Sequence, residues 1–458
     1  MKDIFEPPQI PAAALHVLII GGGASGVLMA VHLLRQSAPV KVTLIEGRGA
    51  MGAGIAYATT DPEHLLNTRV HNMSAFPEDP LHFHRWLIQR PEHAKESDQG
   101  FVRRSTYGAY LGAIMAQFDN DPRLTRVFQE VVRLDETELD LQVHLADGRR
   151  ISGDRAILAT GHVTPDQSRE WPLVGAWQSL DAPPPQSRVV IVGSGLSMVD
   201  QVLTILRAGH QGPILSVSRR GLLPRDHAKT TPMLIEDRDL PLGTSVSTLL
   251  QWARRLAVAA ERQGGTWRDA VDGIRPHVRR IWRSLPQTER ARFLRHVATW
   301  WDVHRHRIPP QSQARLNNAI LTGQLTIRKA AFQTAIARPE GGYYAFVRPF
   351  RSQEVESITA GRVIDCRGIR RDPEQHASPL VADLLARGAA RIDPLRIGLD
   401  VDIHGRLLRP DGSANARVYT IGPASRAAFW EITAIPDIRE QVAQLAQDLT
   451  LVANPATV

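Results

Sequence analysis

Three glycines and one acidic residue near the start of the chain have the spacing of a nucleotide-binding motif. Gly21, Gly23 and Gly26 follow an apolar stretch that ends at Ile20, and Glu46 ends the next apolar stretch. This spacing fits a tight turn at the first glycine, close approach of a phosphate at the second, and close packing of helix on strand at the third. A carboxylate after the second strand can accept hydrogen bonds from a ribose diol and would repel a 2′-phosphate. These residues predict a dinucleotide site.

A second glycine motif begins after position 188 and ends in positive charge. Gly193 and Gly195 repeat the first two glycines, but the third glycine is missing. The next strand ends in Arg219 and Arg220, where the first copy has Glu46. Guanidinium groups there can pair with a 2′-phosphate, which favours NADPH over NADH. The alternative is that they are surface arginines after a strand.

The elements around both motifs read as strand, helix and strand. This pattern predicts an α/β fold with two Rossmann-like dinucleotide-binding domains. A late strand that ends at Gly422, followed by a last helix, indicates that the tail completes the first sheet. We therefore expect a discontinuous first domain at 1–165 plus 360–458. The second domain is expected at 186–359, with a helical insertion at about 240–320.

Composition narrows the class of protein. The chain has 458 residues, a net charge of +8 and a single cysteine, Cys366. One cysteine excludes the CxxC pair that a disulfide reductase needs. The arginines are dispersed and interleaved with acids, so we expect no nucleic-acid partner. The chain has no apolar run of membrane-spanning length and no apolar signal-peptide core, so we expect no membrane contact and a cytoplasmic location.

The crowded basic stretch at 304–307 includes two histidines. We predict no metal site there, because a complete ligand set is not evident. An anion-facing cluster and a solvated helix end are the two interpretations that remain open.

Several longer stretches carry a resemblance to a known family. They are GGGASG, GIAYATTDPEHLLNTRVHNMSAFPEDP, ILATGH, IVGSGLSMVD, SRRGLLPRDH, WDVHRHRIPP and IGPASRAAFWEITAIPDIREQ. With these stretches the chain resembles, over nearly its full length, the two-dinucleotide-binding-domain flavoproteins of the FAD/NAD(P)-binding family. Relatives in that family include flavin-dependent monooxygenases, N-hydroxylases and FAD-dependent urate hydroxylases. The resemblance implies a glutathione-reductase-like arrangement of the two domains.

The resemblance also implies which cofactors bind and where. FAD would bind at the first glycine motif and NADPH at the second, with NADH less favoured, and the ATG strand end would join the two domains. The implied cofactor-binding residues are Gly21, Gly23, Ala24, Ser25, Gly26, Glu46, Thr160, Gly161, Gly193, Gly195, Leu196, Ser197, Arg219, Arg220 and Gly422. The chain departs from many such flavoproteins at Gly422-Pro423, where they have Gly-Asp. That phosphate contact would have to come from backbone N–H groups or from elsewhere.

The activity implied by the resemblance is an NADPH-dependent FAD monooxygenase. It would use O₂ to hydroxylate a small polar substrate, such as the purine urate, through a flavin C4a-hydroperoxide. The candidate residues around the reacting centre are Asn67, Arg69, Asn72, Trp430, Glu431 and Thr433. Arg69 would suit an anionic substrate, because a guanidinium matches planar oxygens bidentately. The alternative is that Arg69 holds a backbone carbonyl.

Two other functions remain open at this point. One is an NADPH-dependent flavin reductase or dehydrogenase that passes electrons to a quinone or to a partner protein. The other is a non-catalytic flavin redox sensor. The substrate and the oligomeric state do not follow from the sequence.

Overall fold

Two largely parallel sheets and a small antiparallel sheet form the framework of the protein. The computed structural model describes residues 14–47, 49, 51–161, 174–175, 183–367, 372 and 374–453. The strands are β1 (Leu15–Ile20), β2 (Val40–Ile45), β3 (Leu124–Val127), β4 (Val131–Glu136), β5 (Leu141–Leu145), β6 (Arg150–Gly153), β7 (Arg155–Leu158), β8 (Val174–Gly175), β9 (Val189–Val192), β10 (Ile214–Ser218), β11 (Leu325–Ala337), β12 (Tyr343–Pro349), β13 (Glu356–Ala360), β14 (Arg362–Asp365), β15 (Arg406–Leu408) and β16 (Ala414–Thr420).

Helices follow or connect most of these strands. They are α1 (Ala24–Leu34), α2 (Gly54–Tyr57), α3 (His82–Ile88), α4 (Arg104–Ala116), α5 (Leu196–Arg207), α6 (Val246–Arg262), α7 (Trp267–Ile274), α8 (Val278–Ser284), α9 (Gln287–His296), α10 (Ala298–Arg305), α11 (Pro310–Leu321), α12 (Pro379–Ala386), α13 (Arg426–Phe429) and α14 (Ile435–Ala453). Among the described residues, no helix is long and apolar enough to cross a membrane.

The chain divides into two compact units. The first unit consists of Met1–Thr59, Arg69–Thr164 and Arg371–Val458. The second consists of Thr60–Thr68 and Pro165–Arg370. The first unit is thus assembled from three separate segments of the chain.

A six-stranded sheet in the order β15-β16-β7-β1-β2-β3 forms the core of the first unit. Strand β1 pairs in parallel with β2 on one side and with β7 on the other. Its last four residues are all buried apolar side chains, as expected for a central parallel strand covered on both faces. Helix α1 lies against β1 and β2 and also contacts α4 and α14. Strand β16 pairs in parallel with β7, so the tail of the chain completes this sheet.

A seven-stranded sheet in the order β13-β12-β11-β10-β9-β14-β8 forms the core of the second unit. Strand β14 pairs in parallel with β9, residue for residue from Arg362–Asp365 onto Val189–Val192. This pairing places β14 in the second unit, whose long segment is Pro165–Arg370. The sequence predicted instead that the chain returns to the first domain at 360. The difference arises because pairing between distant strands decides where a short apolar segment belongs.

The short segment Thr60–Thr68 also differs from the sequence-based boundaries, which put it in the first domain. Within the second unit, the Thr204 hydroxyl donates a hydrogen bond of 2.6 Å to Asp61, and His64 Nε2 lies 3.0 Å from the same hydroxyl oxygen. Glu63 forms an ion pair with Arg315. These contacts attach the segment to α5 and α11.

Helices α6 to α11 lie between β10 and β11 in the chain, at 246–321. The basic stretch 304–307 spans the end of α10 and the link to α11, and its Arg307 is neither free for an anion nor part of a solvated helix end. Arg307 is 3% exposed and forms a two-point ion pair with Asp272, with N–O distances of 3.0 and 2.9 Å. A buried guanidinium needs such a partner to offset its lost hydration. In the described part of the chain, no group of three or more His, Cys, Asp or Glu side chains could hold a metal ion.

Candidate functional site

The carboxyl ends of four neighbouring strands bring predicted site residues together in the first unit. Strands β16, β7, β1 and β2 lie side by side, and their registers align their last residues. The residues that follow these strands therefore lie along one edge of the sheet: Gly422, Thr160, Gly21 and Glu46. Ligands of parallel α/β sheets bind at this edge.

The turn between β1 and α1 has no room for side chains at two of its glycines. Gly21 has φ +110°, and a Cβ atom there would lie 2.4 Å from the carbonyl oxygen of Ala159. A Cβ atom at Gly26 would lie 1.8 Å from the carbonyl oxygen of Gly21. The first glycine thus permits the turn and the third permits the helix to contact it, as the motif predicts.

No capping side chain bonds the backbone N–H groups at the start of α1. Its N-cap is Gly23, which has no side chain to bond the N–H groups of the first turn, where Ala24 and Ser25 lie. The N–H groups at the start of a helix attract phosphate. A Cβ at Gly23 would lie 3.7 Å from the Cα of Gly54, and the N–H of Gly52 donates to the Gly22 carbonyl. The irregular loop after β2 thus packs beside the glycine turn.

Glu46 lies next to the same turn. Its Oε2 accepts a hydrogen bond of 2.7 Å from the backbone N–H of Gly22, and its own N–H donates to Val127 of β3. These two bonds hold the carboxylate at the end of β2, where a ribose diol is bound in a dinucleotide fold.

At the junction after β16, the backbone N–H of Gly422 already has a partner. The N–H of Gly422 donates to Gln441 Oε1 at 2.8 Å, and Pro423 has no N–H. Gly422 has φ +61°, and a Cβ there would lie 2.4 Å from the Ser25 hydroxyl oxygen. Gly422 therefore allows close packing on α1, and its amide is already paired. Gly161, after the neighbouring strand β7, has φ +67°, and a Cβ atom there would meet no atom within 4 Å.

The second unit repeats the turn with one change. Gly193 has φ +115°, and a Cβ there would lie 2.3 Å from the carbonyl oxygen of Cys366. Gly195 is the N-cap of α5 and has open space on its Cβ side, and Leu196 and Ser197 begin the helix. The position of the third glycine, five residues after the first, is occupied by a fully buried methionine, Met198.

Two adjacent arginines after β10 have different environments. The Nη2 of Arg220 donates a hydrogen bond of 2.6 Å to the backbone carbonyl of Arg295. Arg219 is exposed and lines a cavity of about 330 Å³ together with Arg348 and Arg351. The prediction treated Arg219 and Arg220 alike and missed the other two arginines. The only local signal for them was the basic run VRPFR.

The loop candidates Asn67, Arg69 and Asn72 do not share one unit. The carbonyl oxygen of Asn67 accepts a hydrogen bond from His227 Nε2 at 3.0 Å within the second unit. In the first unit, Arg69 Nη1 donates to the carbonyl oxygen of Gln99 at 2.6 Å. Arg69 therefore holds a backbone carbonyl, which is the alternative that the sequence left open.

Asn72 contacts helix α14 through its backbone. Its carbonyl oxygen is 3.4 Å from Nη1 of Arg439, which also donates to the carbonyl oxygen of Ser74 at 3.2 Å. This arginine connects the loop to the last helix within the first unit.

The tail candidates form a tight turn between α13 and α14. Trp430 is 2% exposed and has φ +54°, a backbone conformation that costs energy for a bulky residue. The Arg426 guanidinium lies 4.4 Å from its ring centroid. The N–H of Glu431 donates to Phe429, and the N–H of Thr433 donates to Glu431. Strain of this kind often accompanies functional sites.

Tyr110 of α4 makes hydrogen bonds to the end of the loop that precedes α3 and to α3 itself. The Tyr110 hydroxyl lies 2.8 Å from His82 Nδ1 and accepts from the N–H of Ala75. Burial raises the pKa of the Tyr110 hydroxyl above its usual value and lowers the pKa of His82. Both side chains are therefore neutral at pH 7, and we assign them a structural role.

Comparison with known proteins supports this description. Residues 18–163 match the model of a family described as FAD-NAD(P)-binding. The uncharacterized protein YdhS of Escherichia coli (strain K12) is 23% identical over 210 residues, which are 41% of this chain and 39% of that protein. The alignment thus spans well under half the length of that relative.

Solved structures share the fold over almost the whole chain. The ornithine N-hydroxylase of Kutzneria sp. 744 is 13% identical with a TM-score of 0.65, covering 95% of this chain and 99% of that one. The thioredoxin reductase of Lactococcus lactis is 13% identical with a TM-score of 0.51, covering 96% and 99%. The predicted α/β fold with two dinucleotide-binding domains is therefore confirmed, and the match to the FAD-NAD(P)-binding model covers the first glycine turn.

Proposed function

We propose that this protein is an FAD-dependent, NADPH-using monooxygenase that hydroxylates a small polar molecule. The observation that carries the proposal is the contrast between its two glycine turns. Glu46 is held beside the first turn, whereas Arg219 follows the corresponding strand of the second turn. An acid suits the ribose of FAD, and a guanidinium suits the 2′-phosphate of NADPH.

The residues of the first turn fit FAD in shape as well as in charge. The glycine cradle leaves its backbone open to a pyrophosphate at the start of α1, and Glu46 is positioned for the adenosine ribose. When bound, FAD supplies a two-electron carrier that accepts hydride from NADPH and reacts with O₂. The balanced reaction consumes NADPH, a proton, O₂ and substrate, and it yields NADP⁺, water and hydroxylated substrate.

The chain's own contribution to this chemistry is binding, orientation and exclusion of water. The buried, strained turn at Trp430 is the firmest candidate for a rigid wall of the substrate site. Arg69 is the candidate for an anionic substrate, and it would have to exchange its bond to the Gln99 carbonyl for the ligand. Asn67, Asn72, Glu431 and Thr433 remain candidates for polar contacts.

The substrate class is a narrower proposal. Urate is the first purine to test, because the family that the chain resembles includes urate hydroxylases. Amines come next, because structural neighbours are named as ornithine and lysine hydroxylating enzymes. Both classes are small and polar.

The deciding experiment measures substrate-dependent oxygen transfer by the flavin-loaded protein. Purified protein is supplied with NADPH and ¹⁸O₂, and purines and amines are screened for faster NADPH oxidation. We expect one substrate class to accelerate oxidation and to gain one ¹⁸O atom per molecule of NADPH used. Hydrogen peroxide as the sole product with every substrate would contradict the proposal and favour a reductase.

A matched pair of variants tests the substrate role of Arg69. If the substrate is anionic, Arg69→Ala should raise KM about tenfold or more, the effect of losing one charge-assisted hydrogen bond. Arg150→Ala removes an exposed arginine of β6 in the same unit and should leave KM unchanged. Equal KM values in both variants would exclude Arg69 from substrate binding.

The reductase alternative rests on the fold shared with thioredoxin reductase. One observation weighs against a dithiol version of it: the single cysteine, Cys366, is 3% exposed in the core of the second unit. Reduction of a quinone would not need that thiol, and the oxygen-transfer experiment distinguishes the two functions.

A further inference from the structure

The cavity beside Arg219 carries three positive charges and no negative charge. The lining residues that matter here are Arg219, Ala330, Ala331, Arg348, Phe350 and Arg351, all in the second unit. Two acidic residues follow the lining residues in the sequence, Glu354 and Glu356. Neither lines the cavity, and Glu356 is paired with Arg328. A concave site with this lining favours an anion with several oxygens.

The sheet register explains how arginines from distant parts of the sequence meet. Strand β10 pairs with β11 so that Ser218 lies opposite Lys329, which places Arg219 beside Ala330. Strand β11 then pairs with β12 so that Ala330 lies opposite Pro349 and Ala331 opposite Arg348. Alanine is small at both central positions, so space remains between Arg219 on one side and Arg348 on the other.

The turn after β12 supplies the third charge. Arg351 has φ +65°, a strained conformation shared by two other non-glycine residues in the described parts of the chain. Phe350 is 52% exposed, with Lys329 Nζ at 3.3 Å and the Arg351 Cζ atom at 5.2 Å from its ring centroid. This turn holds one guanidinium and one exposed aromatic ring at the cavity.

The position of the cavity indicates which anion it takes. In a dinucleotide fold, the residue after the second strand faces the 2′ position of the adenosine ribose. We infer that Arg348 and Arg351 join Arg219 to bind the 2′-phosphate of NADPH, with Phe350 available to the adenine ring. This inference rests on the proposed function for its choice of NADPH. It adds two specificity residues that lie about 130 residues after Arg219 in the sequence.

The test is direct binding of two nucleotides that differ by one phosphate. Adenosine 2′,5′-bisphosphate and adenosine 5′-monophosphate are titrated into the full chain by calorimetry. We expect the bisphosphate to bind at least about tenfold more tightly. Arg348→Ala and Arg351→Ala should each weaken the bisphosphate about tenfold and leave the monophosphate within about twofold.

The matched control is Arg338→Ala, at the opposite end of the same β11–β12 hairpin, where Arg338 pairs with Glu340. It removes one positive charge from the hairpin and should leave both affinities unchanged. Inorganic phosphate serves as a competitor. The inference is overturned if Arg348→Ala and Arg351→Ala behave like the control, if they weaken both nucleotides equally, or if inorganic phosphate displaces the bisphosphate at equal concentration.

Failure of this inference and failure of the proposed function give different results. If the wild type hydroxylates a substrate with NADPH while Arg348→Ala and Arg351→Ala keep its preference over NADH, the inference fails and the function stands. If the bisphosphate binds as expected but no substrate gains oxygen, the function fails and the phosphate site stands.

Discussion

A Cβ atom at Gly26 would lie 1.8 Å from the Gly21 carbonyl oxygen, whereas one at Gly112 would meet no atom within 4 Å. Both residues lie in helices of the first unit, α1 and α4. The two positions therefore separate the helix preference of alanine from the close packing that the glycine turn requires.

We predict opposite effects of alanine at these two glycines. Gly26→Ala should lower the free energy of unfolding by about 3 kcal/mol and reduce the FAD content, because α1 must move off the turn. Gly112→Ala should raise the free energy of unfolding by about 0.5 to 1 kcal/mol, since alanine is the better helix former and a Cβ atom there meets no neighbour. Thermal unfolding and flavin absorbance per chain measure both. A Gly26→Ala protein with normal stability and flavin content would contradict the packing role.

Arg219 and Arg220 show the limit of residue-level prediction. They are neighbours of the same type after the same strand, and the sequence assigns both to a 2′-phosphate. In the structure Arg220 donates to the Arg295 carbonyl, and Arg219 faces a cavity. The carbonyl comes from α9, about 75 residues away, so no local pattern distinguishes the two arginines.

At the scale of elements, α7 begins with a capping box that also fixes a loop. The Asp269 carboxylate accepts hydrogen bonds from the N–H groups of Thr266 and Thr231. Burial raises the pKa of Asp269, but these hydrogen bonds outweigh it, and the pKa lies below its usual value. The carboxylate thus joins the helix to the segment around Thr231, and it does so most strongly while it is ionised.

We expect Asp269→Ala to lower the free energy of unfolding by about 2 kcal/mol at pH 7, the upper range for loss of a cap. Because the folded pKa is depressed, this contribution is complete above the unfolded pKa of about 3.9 and is lost as pH falls through the folded pKa. The difference from wild type should therefore shrink below about pH 4 in denaturant titrations. Glu261→Ala, at an exposed position of α6, is the control and should change little at any pH.

The presence of helices was easier to predict than the unit to which a strand or loop belongs. The helices between 240 and 320 follow from the 3.6-residue spacing of apolar side chains, which is local. The membership of β14 and of Thr60–Thr68 in the second unit depends on hydrogen bonds to β9 and to Thr204. Neither contact is local, so the predicted boundary at 360 and the placement of that loop both differ from the structure.

At the scale of the whole molecule, one thiol distinguishes this chain from a disulfide reductase with a similar fold. Cys366 is buried in the core of the second unit, and burial raises the pKa of its thiol well above the usual value. The thiolate is the reactive form, so this cysteine is protected both by lack of access and by protonation.

We predict that an aromatic disulfide reagent labels the native protein at least about 100-fold more slowly than the unfolded chain, since reaction requires opening that costs about 3 kcal/mol. The unfolded chain should take up one equivalent. Cys366→Ala should keep NADPH-dependent flavin reduction. If this variant folds, binds FAD and loses that reduction, the thiol takes part and the dithiol-free proposal is wrong.

The sequence by itself determined the features that depend on nearby residues. Gly21, with its positive φ, the start of α1 and the acid after β2 lie within one strand–turn–helix–strand motif, and Gly193 and the start of α5 lie within a second. Their geometry follows from backbone sterics over a few residues, so spacing alone indicates two dinucleotide-binding turns.

Only the tertiary structure decided which charged side chains face a cavity. Arg219 and Arg348 meet because three strands align in one register, with alanines between them. Arg307 lies in a basic stretch, yet its charge is used in a buried pair with Asp272. Long-range pairing and burial determine whether an arginine faces a cavity, pairs with a carboxylate or donates to a carbonyl, and the residue type is the same in all three cases.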